Sequence, residues 1–349
     1  MDNRISHIEI FRYRIPLSSP LTTSRDYHRS GIILFLYDKY GHCGVGEIAP
    51  LEGLSRETLG EALKQVVSIS DVIKGAGLDS LDSSRLFPSV RFGLELATLT
   101  LKANQTGIPV WKELDEKEVI KRGARIRISA LIPWHSNSEE ELLDLMSKGY
   151  NSFKIKANRI EDARLINSLR QMGGNGIDII IDANKAFSLE EGIRFGRSVY
   201  PSDIRYIEDP LKEIYKLKEF SQKTGISIGI DQDINNRDIR EGDHIKAWVI
   251  KPGIVAGLRE TITLIKEALK KDITPVLSNP FYSGIGVCAL ILLASAHIPE
   301  HIPMGLDPYR WIKEDILEEP LDFKNGSFSV EDASNKIQRI NKSLLNRIC

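Results

Sequence analysis

The sequence predicts an α/β barrel preceded by a smaller α+β domain, and two observations support this prediction. From about residue 125 onward, short apolar runs alternate with amphipathic stretches, as in a chain of repeated β/α units. Charged residues close five of these runs, at positions 156, 182, 208, 231 and 251, in steps of 26, 26, 23 and 20 residues. A strand, a helix and their two turns take about that many residues, so the charged groups are expected at one rim of a barrel.

The N-terminal part of the chain lacks this rhythm and predicts a separate domain. Residues 5–15 and 31–38 have the composition of strands, and glycines at 41–46 predict a hairpin and a loop between elements. Residues 55–75 and 89–105 have the apolar spacing of helices. Together these elements predict an α+β domain of roughly one hundred residues, which is near the usual domain size.

Seven short apolar runs predict barrel strands, and an eighth is a candidate. The runs lie at 126–132, 152–156, 177–182, 204–208, 226–231, 246–250, 273–277 and 302–306. Amphipathic stretches at 138–148, 160–171, 188–199 and 256–270 predict helices between them. Seven or eight such units favour a closed barrel over an open sheet. The predicted organisation is an α+β domain over 1–122, a barrel over 123–310 and a C-terminal segment over 311–349 that packs back on the first domain.

Composition and charge exclude several classes of function. The 349 residues carry a formal net charge of −1, so no nucleic-acid partner is expected. The three cysteines are far apart and odd in number, which argues against a disulfide framework or a zinc site.

The longest apolar run, 284–296, is too short to cross a bilayer and predicts a buried helix. The N-terminus lacks the apolar core of a signal peptide, so we expect a cytoplasmic protein without a membrane partner. The oligomeric state stays open.

Three acidic residues stand at the ends of consecutive predicted strands: Asp182, Glu208 and Asp231. Each of them alone is equally consistent with a helix cap or a turn. Three carboxylates at one rim would repel one another, so a divalent cation is their natural partner. Because no His or Cys lies near these strand ends, Mg²⁺ is favoured over zinc, with Mn²⁺ as a substitute. Asp233 would share a strand face with Asp231 and is an alternative third ligand.

Three lysines complete the set of charged residues at the predicted rim. Lys154 and Lys156 are two residues apart in one strand, so their side chains point to the same face. We expect each ammonium to lower the pKa of the other, which would make one of them a usable base near neutral pH. Lys251 lies on the opposite side of the barrel mouth. A base, a metal and a second cation around one small-molecule carboxylate favour proton abstraction next to that carboxylate.

This constellation resembles the enolase superfamily, in particular its muconate-lactonizing subgroup, whose chemistry pairs a Lys or His base with magnesium and an enediolate. The resemblance covers essentially the whole chain. It implies a modified TIM barrel, (β/α)7β, with an N-terminal α+β capping domain. Segments 46–59, 88–97 and 278–286 are similar to the capping loop, the capping helix and the seventh-strand loop of o-succinylbenzoate synthases.

The resemblance also implies a reaction, the syn dehydration of 2-succinyl-6-hydroxy-2,4-cyclohexadiene-1-carboxylate to 2-succinylbenzoate in menaquinone biosynthesis. It implies that Lys156 is the base that removes the proton and then protonates the leaving hydroxyl, and that Lys251 stabilises the enediolate from the other face. The implied metal ligands and substrate-binding residues are Asp182, Glu208 and Asp231 for Mg²⁺, Lys154 near the substrate carboxylate, Ser283 and Gly284 at the succinyl group, and Arg25 and Ser55 on loops that close over the site. One departure is Gln232, where the family usually has Glu.

Two other functions remain open at the level of sequence. An N-acylamino acid racemase or dipeptide epimerase would use the same two opposed lysines, so the predicted catalytic residues do not separate it from a dehydratase. A catalytically silent, metal-binding barrel would have no need for lysines on both faces of a substrate, and the sequence disfavours it. A dinucleotide-binding fold is also disfavoured, because no third glycine follows Gly284 and Gly286 at the required spacing.

Overall fold

The computed structural model describes residues 5–21, 25–76, 82–114, 123–132, 138–255 and 257–348. The strands are β1 (Ile5–Pro16), β2 (His28–Asp38), β3 (Cys43–Ile48), β4 (Arg125–Arg127), β5 (Ala130–Ile132), β6 (Ser152–Lys156), β7 (Asp178–Asp182), β8 (Tyr206–Glu208), β9 (Ile228–Ile230), β10 (Ile245–Ile250), β11 (Thr274–Leu277), β12 (Phe323–Lys324), β13 (Ser327–Ser329) and β14 (Leu345–Arg347). The helices are α1 (Leu59–Ala76), α2 (Pro88–Thr106), α3 (Val110–Leu114), α4 (Ser138–Ser147), α5 (Ala163–Gly173), α6 (Leu189–Val199), α7 (Leu217–Thr224), α8 (Pro252–Val255), α9 (Leu258–Lys270), α10 (Gly284–His297) and α11 (Val330–Lys336).

The N-terminal domain packs α1 and α2 on an antiparallel sheet with the order β14-β1-β2-β3. Thr58 caps helix α1 at its N-terminus: its hydroxyl accepts the N–H of Glu61 while the Glu61 carboxylate accepts the N–H of Thr58, a capping box. Gly44 and Gly46 lie within β3 rather than in the predicted hairpin turn. Glycine is needed at both positions because a Cβ there would collide with the backbone of α2. These glycines therefore set how closely the sheet and α2 approach.

The second domain is a parallel barrel. Strands β5 to β11 pair in sequence order, each parallel to the next. The chain at 302–306 closes this sheet, since Met304 bridges Ile128 and Gly305 bridges Ser278, both in parallel orientation. Seven strands and a closing segment, preceded by an α+β domain, confirm the predicted fold class. The nearly uninterrupted burial of the strands is typical of a parallel sheet covered on both faces.

The apolar run at 126–132 is not one barrel strand, in contrast to the prediction. Its first part is β4, which pairs antiparallel with β13, and only its second part, β5, joins the barrel. The C-terminal residues divide between two sheets, because β13 contacts β4 while β14 pairs with β1 of the N-terminal sheet. The domain boundaries at 122 and 310 stay a prediction.

Helix α10 accounts for the longest apolar run of the sequence. Its residues from Gly284 to Ala294 are all buried, as predicted for a core helix. No helix in the described ranges is long and apolar enough to cross a bilayer. The Ser283 hydroxyl caps the helix by accepting the N–H of Ile285.

Candidate active site

The strand register places the predicted charged residues at one end of the barrel. Lys156 lies opposite Asp182 in the β6–β7 pair, and Asp182 lies opposite Glu208 in the β7–β8 pair. Asp231 directly follows β9, and Lys251 directly follows β10. Since these strands are parallel, all five residues lie at their carboxyl ends, where barrel enzymes carry their active sites.

Two of the three lysines are paired with the carboxylates. The Lys154 ammonium lies 3.2 Å from Oδ2 of Asp182 and also donates a hydrogen bond to Oε2 of Glu208. The Lys251 ammonium donates to Oδ1 of Asp231. No ion pair joins Lys156 to a carboxylate within the described part of the chain. Lys156 is therefore the lysine that is left available for a proton transfer.

The two lysines of β6 have opposite net pKa shifts: Lys154 lowers the pKa of Lys156 as expected, but the pKa of Lys154 itself is raised because carboxylates surround it. Burial alone would lower the pKa of Lys154, but attraction to Asp182 and Glu208 outweighs it and raises the pKa well above the ordinary value. Burial lowers the pKa of Lys156, and Lys154 and Lys251 lower it further, while Asp182 acts in the opposite direction. Of the two lysines, Lys156 is therefore the easier to deprotonate.

The carboxylates that share Lys154 also differ from each other. Burial would raise the pKa of Asp182, but the ammonium groups of Lys154 and Lys156 hold it below its usual range. Burial raises the pKa of Glu208 to about 8, because Lys154 only partly offsets it and the charges of Asp182 and Asp231 add to it. One ammonium does not neutralise two buried carboxylates, so Glu208 lacks a sufficient counter-charge.

Asp182, Glu208 and Asp231 carry the oxygen donors that a divalent cation needs, although their carboxylates contact lysines in the structure. Among the described residues no group of three His, Cys, Asp or Glu side chains converges as metal ligands do. Three carboxylates nonetheless end adjacent strands, and the raised pKa of Glu208 marks a deficit of positive charge among them. Oxygen donors of this kind suit Mg²⁺ or Mn²⁺ rather than zinc.

The structure separates Asp231 from the alternative ligand Asp233. Strand β9 ends at Ile230, so the alternation of faces does not extend to Asp233. The Asp233 carboxylate instead forms an ion pair with Lys185 at 2.5 Å. Asp231, by contrast, accepts a hydrogen bond from Lys251, and its charge helps to raise the pKa of Glu208.

Asp209 has a role at this rim that sequence reasoning missed, because Asp209-Pro210 reads as an ordinary turn. Its buried carboxylate accepts the backbone N–H of Asp231 at 3.1 Å through Oδ1 and that of Gln232 at 2.9 Å through Oδ2. Burial raises the pKa of Asp209 to about 6. Asp209 therefore fixes the turn that carries Asp231, and its position directly after Glu208 was the available signal.

The predicted substrate-binding residues of the seventh-strand loop are engaged within the protein. The Ser283 hydroxyl donates to Oε2 of Glu47 at 2.9 Å, and the Ser283 N–H donates to Oε1 of the same carboxylate. The Gly284 N–H donates to Asp315 at 3.0 Å. Buried carboxylates hold both residues, and their contact with substrate stays a prediction. Glu47 is a buried link between the domains that the sequence did not predict.

The predicted lid residues are only partly described. The Ser55 hydroxyl accepts the N–H of Leu51 at 2.9 Å, which closes the loop at 51–55 on itself. Arg25 is exposed, has φ of 57° and donates its N–H to the carbonyl of Leu21. Residues 22–24 of the same predicted loop lie outside the described residues.

Comparison with known protein families agrees with this architecture. A family profile described as "Enolase C-terminal domain-like" matches residues 137–334, which is more than half of the chain. A second profile, "MenC, N-terminal domain", matches residues 5–101. The chain therefore belongs to the enolase superfamily and is an enzyme.

Within that superfamily the chain is similar to o-succinylbenzoate synthases. It is 29% identical to the synthase of Pectobacterium atrosepticum over 89% of this chain and 93% of the relative. The synthase of Aliivibrio fischeri is 27% identical over 86% of this chain and 89% of the relative. Protein PHYLLO, chloroplastic, of Arabidopsis thaliana is 26% identical over 99% of this chain, which spans only 24% of that longer protein.

Solved structures of lower identity share the fold. A muconate lactonizing enzyme from Pseudomonas fluorescens, complexed with muconolactone, has a TM-score of 0.85 at 17% identity and covers 98% of each chain. The L-Ala-D/L-Glu epimerase from Bacillus subtilis has a TM-score of 0.80 at 17% identity, covering 93% of this chain and 96% of its own. A dipeptide epimerase from Cytophaga hutchinsonii, complexed with Mg and D-Ala-L-Val, has a TM-score of 0.79 at 18% identity and covers 99% of each chain.

Proposed function

We propose that the protein is an o-succinylbenzoate synthase, a hydro-lyase of menaquinone biosynthesis. The observation that supports this most is that the likeness to these synthases extends through the N-terminal domain as well as the barrel. The barrel fold is shared with proteins of other activities, so the likeness in the N-terminal domain is what distinguishes the synthases. The substrate would be 2-succinyl-6-hydroxy-2,4-cyclohexadiene-1-carboxylate.

The lowered pKa of Lys156 supports its role as the acid–base group. Its neutral amine would accept the proton from the ring carbon that bears the carboxylate. The ammonium so formed would donate that proton to the hydroxyl on the neighbouring carbon. One C–H and one C–O bond break, a C=C bond forms, and water leaves, so the ring becomes aromatic.

Lys251 and Lys154 would act as fixed charges in this reaction. Lys251, held by Asp231, would stabilise the negative charge that spreads onto the substrate carboxylate from the face opposite Lys156. Lys154, with its raised pKa, would stay protonated and keep the pKa of Lys156 low. The residues that would hold Mg²⁺ are Asp182, Glu208 and Asp231. When bound, the cation supplies positive charge beside the substrate carboxylate.

The first experiment is an absorbance assay of the dehydration with and without Mg²⁺. The wild-type protein should form 2-succinylbenzoate in the presence of the metal, and Lys156→Ala should lower kcat by about 10²- to 10⁴-fold. Lys246→Ala is the matched control, because Lys246 lies on β10 with its side chain 49% exposed and paired with Asp272. Full activity of Lys156→Ala would refute the assigned base.

Racemisation of N-acylamino acids or dipeptides is the second candidate. The charge of Lys251 helps to lower the pKa of Lys156, so the two lysines share one site, and a racemase that uses two bases needs one on each face of its substrate. Polarimetry with N-succinyl amino acids separates the two candidates. Racemisation without dehydration would keep the metal site and move the function to this branch.

A further inference from the structure

Lys251 directly precedes the short helix α8, and hydrogen bonds to this helix hold its backbone. Its carbonyl oxygen accepts the N–H of Ile254 at 2.8 Å and that of Val255 at 3.0 Å. Pro252, the first residue of the helix, has no N–H, and the N–H groups of Ile254 and Val255 already have a partner. The N–H of Gly253 is therefore the one in this turn without a partner inside the helix. The Tyr282 hydroxyl accepts this N–H at 3.0 Å.

Tyr282 is itself held from two sides. Its ring stacks on Phe92 of α2, with the ring centroids 5.3 Å apart and the planes 13° from parallel. Its backbone N–H donates to Oδ1 of Asn279 at 2.7 Å, which fixes the loop between β11 and α10. The side chain is buried, so the hydroxyl has little freedom to move away from Gly253. Tyr282 thus joins the N-terminal domain to the turn that carries Lys251.

The close approach of Tyr282 explains why residue 253 is glycine. A Cβ at this position would overlap the Tyr282 hydroxyl oxygen, whereas the next atoms, Cζ of Tyr282 and Cα of Ser89, would lie at 3.4 Å and 3.7 Å. The φ of Gly253 is outside the left-handed region, so the backbone itself would accept alanine. Among the described atoms near this Cβ, one hydroxyl oxygen is the obstacle.

We infer that Tyr282 is a positioning residue for Lys251, and that the contact of its hydroxyl with Gly253 fixes where the Lys251 ammonium stands in the active site. The inference rests on the proposed function, in which Lys251 stabilises charge on the reacting carboxylate. A displacement of about 1 Å at such a group is enough to lower a rate by about 100-fold. The N-terminal domain would then control the lysine as well as covering the substrate.

A pair of complementary substitutions tests this inference. Gly253→Ala should push the turn away from Tyr282 and lower kcat by about 10- to 100-fold, with a smaller effect on KM. The double variant Gly253→Ala/Tyr282→Phe removes the obstructing oxygen, so its kcat should return to within about threefold of Tyr282→Phe alone, as expected for directly coupled residues. Failure of the second substitution to restore any activity would overturn the inference.

Matched controls separate positioning from general stability. Gly60→Ala introduces the same methyl group into the first turn of α1, where the new Cβ would have no described atom within 4 Å apart from its chain neighbours and the backbone of its own helix. Tyr150→Phe removes another buried hydroxyl, which donates to Asp307 rather than to α8. Both controls should leave kcat of the folded protein unchanged, even where the melting temperature falls. A similar loss of kcat in these controls would show that stability alone explains the effect.

A readout independent of activity follows the Lys251 ammonium directly. The Lys251 ammonium is bonded to Asp231 and its side chain is only 12% exposed, so its exchange should be slow enough for its ¹H–¹⁵Nζ NMR signal to be observable, and the loss of the signal in Lys251→Met would identify it. Gly253→Ala should shift this signal, and the double variant should return it toward that of Tyr282→Phe. If Gly253→Ala does not fold, Tyr282→Phe alone is the test, and it should shift the Lys251 ammonium signal and lower kcat. If neither the signal nor kcat changes in Tyr282→Phe, the inference is wrong.

The two hypotheses fail in different ways. If the wild-type protein dehydrates its substrate but the variants change neither kcat nor the ammonium signal, the positioning role is wrong and the proposed function stands. If the wild-type protein lacks dehydration but the signal shifts and returns as described, the positioning role stands and the proposed function is wrong.

Discussion

Glu208 is expected to destabilise the metal-free protein as the pH rises, and Glu208→Gln should remove this effect. The pKa of Glu208 is about 8 in the folded state against an ordinary value of 4.5. A group whose pKa is raised by folding binds protons more tightly in the folded state, so the free energy of unfolding falls as the pH rises between these two values. The variant has no proton to lose there and should not show this fall.

The size of the effect follows from the same two pKa values. The raised pKa of Glu208, about 8 against 4.5, gives an upper limit of about 5 kcal/mol at about 1.36 kcal/mol per pKa unit, and about 3 to 4 kcal/mol of this falls between about pH 5 and pH 8. At about 2.1 cal/mol/K per residue, unfolding 349 residues changes the entropy by about 0.7 kcal/mol/K. The melting temperature of Glu208→Gln relative to wild type should therefore rise by up to about 5 °C between these pH values.

The assay is thermal unfolding followed by circular dichroism in the presence of a chelator, at several pH values. Asp182→Asn is the matched control, because the same lysine holds Asp182 but its pKa is lowered by folding. That variant should be less stable than wild type, and its stability should still fall between about pH 5 and pH 8, though less steeply, because the charge of Asp182 is only one of the causes that raise the pKa of Glu208. Parallel curves of melting temperature against pH for wild type and Glu208→Gln would refute the reasoning.

Three further predictions concern the same region. Burial lowers the pKa of Lys156, and its neutral amine is the active form. In a pH–rate profile, kcat/KM should therefore rise with pH and reach its plateau at a pH below the ordinary pKa of lysine. Asp209→Asn should weaken Mg²⁺ binding by about 10- to 100-fold in calorimetry, because an amide cannot accept both N–H groups at Asp231 and Gln232. Glu47→Gln should lower stability by about 1–3 kcal/mol in thermal unfolding, unlike the exposed Glu52→Gln, because its amide would face buried donors.

The order of elements was predictable because it depends on local patterns. Strand and helix periodicities placed the barrel strands at 152–156 and 246–250 close to their observed bounds, and the spacing of the charged residues indicated one rim. The run at 126–132 was assigned wrongly to one strand, since its division depends on β13, some two hundred residues later in the chain. No local pattern contains the information that Arg125–Arg127 pairs outside the barrel.

The chemistry of the charged residues was predictable only in part. Their types and spacing indicated oxygen ligands and a lysine base, whereas the opposite pKa shifts of Lys154 and Lys156 depend on which one meets Asp182 and Glu208. The hydrogen-bond partner of Ser283 was not predictable either, because its hydroxyl bonds to Glu47 of the N-terminal domain. Exposure and bonding partners come from distant parts of the chain, so sequence position alone does not define them.

The sequence by itself determined that this protein is a β/α barrel with carboxylates and lysines at one rim, because periodicity and residue type are properties of the chain. Only the tertiary structure decided that Lys156, unlike Lys154 and Lys251, forms no ion pair with the described residues. It also decided that Asp231 rather than Asp233 contacts Lys251, and that Tyr282 contacts Gly253. The physical reason is that pKa values and steric contacts depend on burial and on the distances between side chains, which are defined only once the barrel is closed and the N-terminal domain is in place.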